Sequence, residues 1–144
     1  MNEGIAYLIS SIATILTAFG TIASVVYNKR KEFELHQKAI KEENYAEFLG
    51  SLILVLNKKR NGQEYDDELN ALMKSIELIY IIGSPEVVNR MNVLLELANV
   101  ETTDNESNDQ DTLYANLVKK IRKDLGNSKN DKNFPDKLKM WTFH

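Results

Sequence analysis

The sequence contains no cysteine, only two histidines (His36 and His144), two prolines, six glycines and one tryptophan. Without cysteine there is neither a disulfide nor a thiolate metal site, and the absence fits a reducing compartment. Two histidines this far apart rule out a His-rich zinc centre and the common nucleophile–base pairs. None of the glycines forms a phosphate-binding loop, and neither Gly-x-Ser-x-Gly nor His-Glu-x-x-His occurs. The composition therefore predicts a non-enzyme, with no cofactor and no metal. The triplet Asp66-Asp67-Glu68 is the nearest approach to a cation site. It falls where a helix begins, and acids there complement the helix dipole.

Charge is missing in places as well. Residues 4–27 carry no charged side chain, and residues 61–111 carry two Lys/Arg against twelve Asp/Glu. The flanking blocks lean the other way, with eight bases against five acids in residues 29–60 and eight against three in residues 112–144. A basic, acidic, basic order pairs within a bundle or between copies and does not make a general nucleic-acid surface, so no nucleic acid is expected.

The uncharged stretch GIAYLISSIATILTAFGTIASVVY is about 24 residues long, roughly 35 Å as a helix, enough to cross a bilayer core. A secretory signal would place a basic leader ahead of a shorter apolar run. Here Glu3 is the one charged side chain ahead of the run, and Lys29, Arg30 and Lys31 follow it directly. The positive-inside rule then puts the N-terminus outside and the rest in the cytoplasm, at the inner membrane of a bacterial cell. The alternative is a buried core helix.

Within this span small residues recur at Ala6, Ser10, Ala13, Thr17, Gly20 and Ser24. Large ones recur at Ile5, Leu8, Ile12, Ile15, Phe19, Ile22 and Val26, on nearly the opposite side of a helical wheel. Lipid offers helices no hydrophobic reason to associate, so close approach along a small-residue seam is how they pack. The mean period of 3.5 fits a left-handed crossing. Ser10, Thr14, Thr17, Thr21 and Ser24 offer hydroxyls to such a crossing. Two readings stay open: a span alone in lipid, or one that packs on another copy or another span. The second is preferred, with a hydroxyl-lined pore in a higher oligomer as a subset of it.

Beyond the span, residues 28–48 hold no helix breaker, and Phe33, Ile40 and Phe48 suggest a sparse stalk seam. The nine-residue apolar run Phe48-Leu-Gly-Ser-Leu-Ile-Leu-Val-Leu56 is too short to span and reads as a buried core stretch. Lys58, Lys59 and Arg60 suit a helix end, and Asn61-Gly62 breaks it. A second helix is predicted over residues 66–82, with Leu69, Leu72, Met73, Ile76, Ile79 and Tyr80 as its apolar stripe. Gly83 stops it. Ser84, Pro85 and Glu86 then supply the cap, first-turn proline and dipole acid of a third helix, with Val87, Val88, Met91, Leu94, Leu95 and Ala98 inward. Residues 101–111 read as a solvated acidic loop, with Thr112 capping a fourth helix that ends at Gly126. That helix turns Leu113, Leu117, Val118, Ile121 and Leu125 inward. The class is all-α: a single N-terminal transmembrane helix continuing into a cytoplasmic bundle of about four helices. The expected domains are an anchor over 1–28, a cytoplasmic helical domain over 29–126 and a polar, aromatic tail over 127–144.

Lys119, Lys120, Arg122 and Lys123 concentrate charge on the fourth helix. Three readings remain: a solvated face paired with the acidic block, contact with anionic lipid headgroups, or binding of a small anionic ligand such as a nucleotide messenger. The first is preferred. The tail, with Lys137, Lys139, Trp141 and Phe143, suits a membrane interface or no fixed structure.

Three stretches carry a resemblance: Tyr45-Ala-Glu-Phe48 and its continuation to Leu56, the turn Gly83-Ser-Pro-Glu-Val87, and Ile121-Arg-Lys-Asp-Leu-Gly126. In their order, behind an N-terminal span, the chain resembles an uncharacterised family of small bacterial proteins with one transmembrane helix and a cytoplasmic helical domain. These are met in prophage, mobile-element or defence-like contexts. The resemblance implies the architecture and assigns no functional residue. Function is read as a membrane-anchored helical interaction protein that self-associates through its span. The alternative is a pore-forming or membrane-perturbing effector of an antiviral defence or phage-related system, gated by the helical domain. The expected partners are the lipid bilayer and further copies of the chain, with a partner membrane or cytoplasmic protein as a third possibility.

Overall fold

A computed structural model describes residues 2–99 and 107–139, and everything regular in them is helical. Four α-helices run in order: α1 (Asn2–Arg60), α2 (Asp66–Ile82), α3 (Pro85–Asn99) and α4 (Ser107–Asp124). A short 3-10 helix (Ser128–Asn133) follows. The chain divides into two compact units, Met1–Ala39 and Ile40–His144.

The first unit is a length of α1 and nothing else. Its described side chains are exposed, apart from Lys38, and it contains a stretch long and apolar enough to cross a membrane, none of it buried against the rest of the protein. Ser11, Thr14, Thr17 and Thr21 each donate their hydroxyl to the carbonyl four residues back, at 2.8–2.9 Å. Each hydroxyl is satisfied in this way by its own helix. Phe33 is exposed, Ile40 half-buried and Phe48 fully buried, so the three do not share one environment.

The second unit is the bundle. Tyr45, Phe48, Leu52, Val55 and Leu56 of α1 meet Leu72 and Ile79 of α2, Val87, Met91 and Leu94 of α3, and Leu117 and Ile121 of α4 in one core. The Phe48–Leu56 run is thus buried on most sides, though Leu54 is exposed. α2 buries only Leu72, Ser75 and Ile79, whereas Met73 and Tyr80 of the expected stripe face outward. The stripe was wider than the core. Ser75 donates to the Leu72 carbonyl at 2.8 Å, which lets a hydroxyl sit fully buried.

The joints follow local chemistry. At the end of α4, Gly126 has φ +73°, its N–H reaches the Lys123 carbonyl and the Asn127 N–H reaches Arg122, the paired bonds of a Schellman cap. The same pattern closes α1 at Gly62. Gly83 ends α2 in extended backbone, and a Cβ there would lie 2.6 Å from the Ile79 carbonyl oxygen. That space admits glycine alone without a shift. Ser84 then accepts the Val87 N–H on its hydroxyl at 3.4 Å and α3 begins at Pro85, as cap and first-turn residue should.

Two expectations are corrected. α4 starts at Ser107, so residues 107–111 are helix rather than loop and Thr112 lies inside the helix rather than capping it. Asp109 and Asp111 fall in the first turn or so of that helix, where the dipole favours acids. Gln110 even turns inward, buried, with its amide 3.5 Å from the Leu97 carbonyl of α3. Within the expected tail, Ser128–Asn133 form the 3-10 helix. The side chain of Ala6, residues 101–106, Trp141 and Phe143 lie outside the described residues.

Candidate functional site

Three stretches far apart in sequence converge on the Tyr45 hydroxyl. Asp124 stands in the last turn of α4, where the helix dipole disfavours a carboxylate. It is held there by the Tyr45 hydroxyl, donating to Oδ2 at 2.5 Å, and by Lys41 Nζ, donating to the same oxygen at 2.9 Å. The Ser84 amide hydrogen-bonds the phenol from the α2–α3 joint. Burial first, then the Asp124 carboxylate, push the Tyr45 pKa well above its ordinary value. The meeting point of the three stretches is a structural keystone. Its two side-chain hydrogen bonds to Asp124 tie α1 to the end of α4.

The basic face of α4 is paired throughout. Lys120 and Lys123 reach Glu86 at 2.8 and 3.4 Å, holding the start of α3. Those contacts, led by the hydrogen bond from Lys120, lower the Glu86 pKa. Glu86 belongs to the acidic block of residues 61–111. The other two cations find their partners elsewhere. Arg122 binds Asp131 at 2.9 Å and the Asn127 carbonyl at 3.2 Å, and Lys119 binds Asp136 at 2.9 Å. The Phe134 ring lies beneath both, 5.3 Å from the guanidinium carbon and 5.8 Å from the ammonium nitrogen. The Leu138 N–H closes onto the Asp111 carbonyl at 3.2 Å. Residues 128–139 are therefore a strap laid back along α4. Sequence reading missed it because its anchors, Asp131, Phe134 and Asp136, are scattered among lysines and asparagines that carry no period.

The remaining candidate residues belong to the first unit. Ser10, Ala13, Thr17, Gly20 and Ser24 all lie on α1 and are exposed, as are Lys29, Arg30 and Lys31 directly after the uncharged run. At the other end of α1, an open hollow is lined by Lys58, Glu64, Asp66, Asp67 and Glu68. Glu68 is taken by Lys58 at 2.5 Å, and among the described residues no group of three or more ligating side chains is arranged to hold a metal ion. No protein-family model, no curated protein and no solved structure matches the chain.

Proposed function

We propose that this is a non-enzymatic, membrane-anchored interaction protein that self-associates through the small-residue face of its span. The helical domain lies on the cytoplasmic side of a bacterial inner membrane and presents a binding surface there, or regulates the assembly. One observation carries the reading: α1 holds a stretch long and apolar enough to cross a membrane, and its side chains are exposed among the described residues. A long uncharged, mainly apolar stretch left in water would be a large aggregation-prone surface, whereas lipid or a second span removes it. The Lys29-Arg30-Lys31 cluster supports the orientation, since basic residues flanking a span stay on the cytoplasmic side.

The test is the mass of the full-length protein in mild detergent or nanodiscs at several concentrations. A discrete homo-oligomer is expected, and Ala13→Leu with Gly20→Leu should dissociate it by filling the seam. A monomer at every concentration, or an oligomer indifferent to both substitutions, defeats the proposal. The comb of hydroxyls at Ser11, Thr14, Thr17 and Thr21 favours a second reading, because each oxygen keeps acceptor capacity after bonding its own helix. In that reading several spans line a pore, and expression collapses the membrane potential unless residues 1–28 are deleted.

A further inference from the structure

Much of the strap on α4 faces solvent. Of residues 128–139 only Asp131, Phe134 and Leu138 are known to be even half-buried, and the Asp136 side chain is 95% exposed. The exposed Lys119–Asp136 pair contributes little and the Arg122–Asp131 pair is only part-buried, so the segment belongs to the part of a protein that opens locally at small cost. Opening it has an asymmetric result. Lys119 and Arg122 lose their carboxylates, while Lys120 and Lys123 stay on Glu86. The released segment carries Lys129, Lys132, Lys137 and Lys139 against Asp131 and Asp136, with Phe134 and Leu138 as apolar anchors.

We propose that residues 128–139 are a detachable cover over an anionic-lipid-binding face of α4, opened by the headgroups of the bilayer that anchors the chain. The proposal rests on the membrane-anchored reading, and it does not need the span to self-associate. Both halves of the opened contact are cationic, and one adds an aromatic ring and a leucine. A single small anion would engage the α4 half alone. An extended surface that is anionic outside and apolar beneath engages both, and a chain with its own span meets that surface at high local concentration. In the closed state Asp131 and Asp136 stand where headgroup phosphates would bind, on the same Arg122 and Lys119.

The experiment is amide hydrogen exchange on the full chain in nanodiscs of zwitterionic lipid and in discs with an added anionic lipid. The Phe134 and Leu138 amides, bonded to the Asp131 and Asp111 carbonyls, report the closed strap. In anionic discs their exchange should rise about tenfold, with the core amides unchanged. D131N with D136N should raise it in zwitterionic discs too. Glycerol phosphate added to zwitterionic discs should leave it unchanged. Equal protection in the two discs overturns the proposal, as does a doubly substituted strap as protected as the natural one. Opening by glycerol phosphate alone replaces the bilayer with a free anion and overturns it also. A chain that fails to co-purify with discs overturns the anchored reading and this inference together. A chain within the discs whose strap ignores the lipid overturns this inference alone.

Discussion

Phe19 and Phe48 lie on the same helix, yet one is 68% exposed and the other 0%. Around Phe48, α1 is apolar on most sides because α2, α3 and α4 cover it, and every buried side chain has a named neighbour in the core. Around Phe19 it is equally apolar, and the described side chains there are exposed. The two regions stabilise a helix by opposite means. Near Phe48 tertiary packing holds the backbone, and the sequence tolerates Gly50 and Ser51 mid-helix. Near Phe19 there is no packing, and residues such as Ile, Val and Thr are mediocre helix formers in water. In the membrane-anchored reading proposed above, the medium itself enforces the helix, since in hydrocarbon an unbonded peptide group is far costlier than a poor propensity. The four hydroxyls turned onto their own carbonyls fit the same economy of polar groups.

The sharpest way to break this contrast is to truncate both rings. Phe48→Ala should lower the unfolding free energy of the helical domain by about 3–5 kcal/mol, through lost burial and the cavity left behind. Phe19→Ala should leave the same transition within about 0.5 kcal/mol. Thermal melts of the full chain in detergent, followed by circular dichroism, measure both. An equal loss at Phe19 would mean that the uncharged stretch packs into the domain's own core, and the division into two regimes would fall.

A smaller effect is expected at the keystone. Tyr45→Phe keeps the ring and removes the hydrogen bond to a carboxylate, for a cost of about 1.5–3 kcal/mol. In a cycle with Asp124→Asn the two losses should not add, because the partners share one bond. Additive losses would show that the bond contributes nothing of its own. The pKa shift gives a second readout. A tyrosine whose folded pKa is raised contributes stability below its ordinary value of 10.0 and loses it as pH rises through the folded value. The domain should therefore weaken in alkali. Tyr45→Phe should flatten that slope, leaving the share of Tyr114, whose pKa burial also raises.

How far these features were legible in the sequence depends on whether they are periodic or local. The four helices, the Gly62, Gly83 and Gly126 stops and the Ser84-Pro85 restart were readable, because caps and periods act within a few residues. The start of α4 was misread for a physical reason. A run of acids and amides suits a solvated loop and the first turn of a helix equally well, and only Gln110 reaching the Leu97 carbonyl decides it. The keystone and the strap were not readable at all. Asp124 looked like one more charge among Lys119, Lys120, Arg122 and Lys123, although an acid in the last turn of a helix is a local misfit. That misfit is the one signal that pointed to a tertiary partner. The seam residues of the span are named by pattern, and it is the packing of copies that tests them.

The smallest expected effect probes that seam. Thr17 donates its hydroxyl to the Ala13 carbonyl at 2.8 Å, so its proton is already spent inside the helix. Thr17→Val keeps the shape and the small-residue register while removing the hydroxyl, and it should change the association of spans by less than about 0.6 kcal/mol. The measurement is the dissociation midpoint of the oligomer on dilution into detergent, beside the Ala13→Leu with Gly20→Leu variant that should abolish it. If Thr17→Val dissociates the assembly as thoroughly as the seam-filling pair, the hydroxyl is bonding across the interface. The span would then be held by polar contacts rather than by close backbone approach. That outcome would bring the first unit nearer to the second, where Tyr45 and Asp124 do the same work, and it would turn attention to the hydroxyl-lined pore.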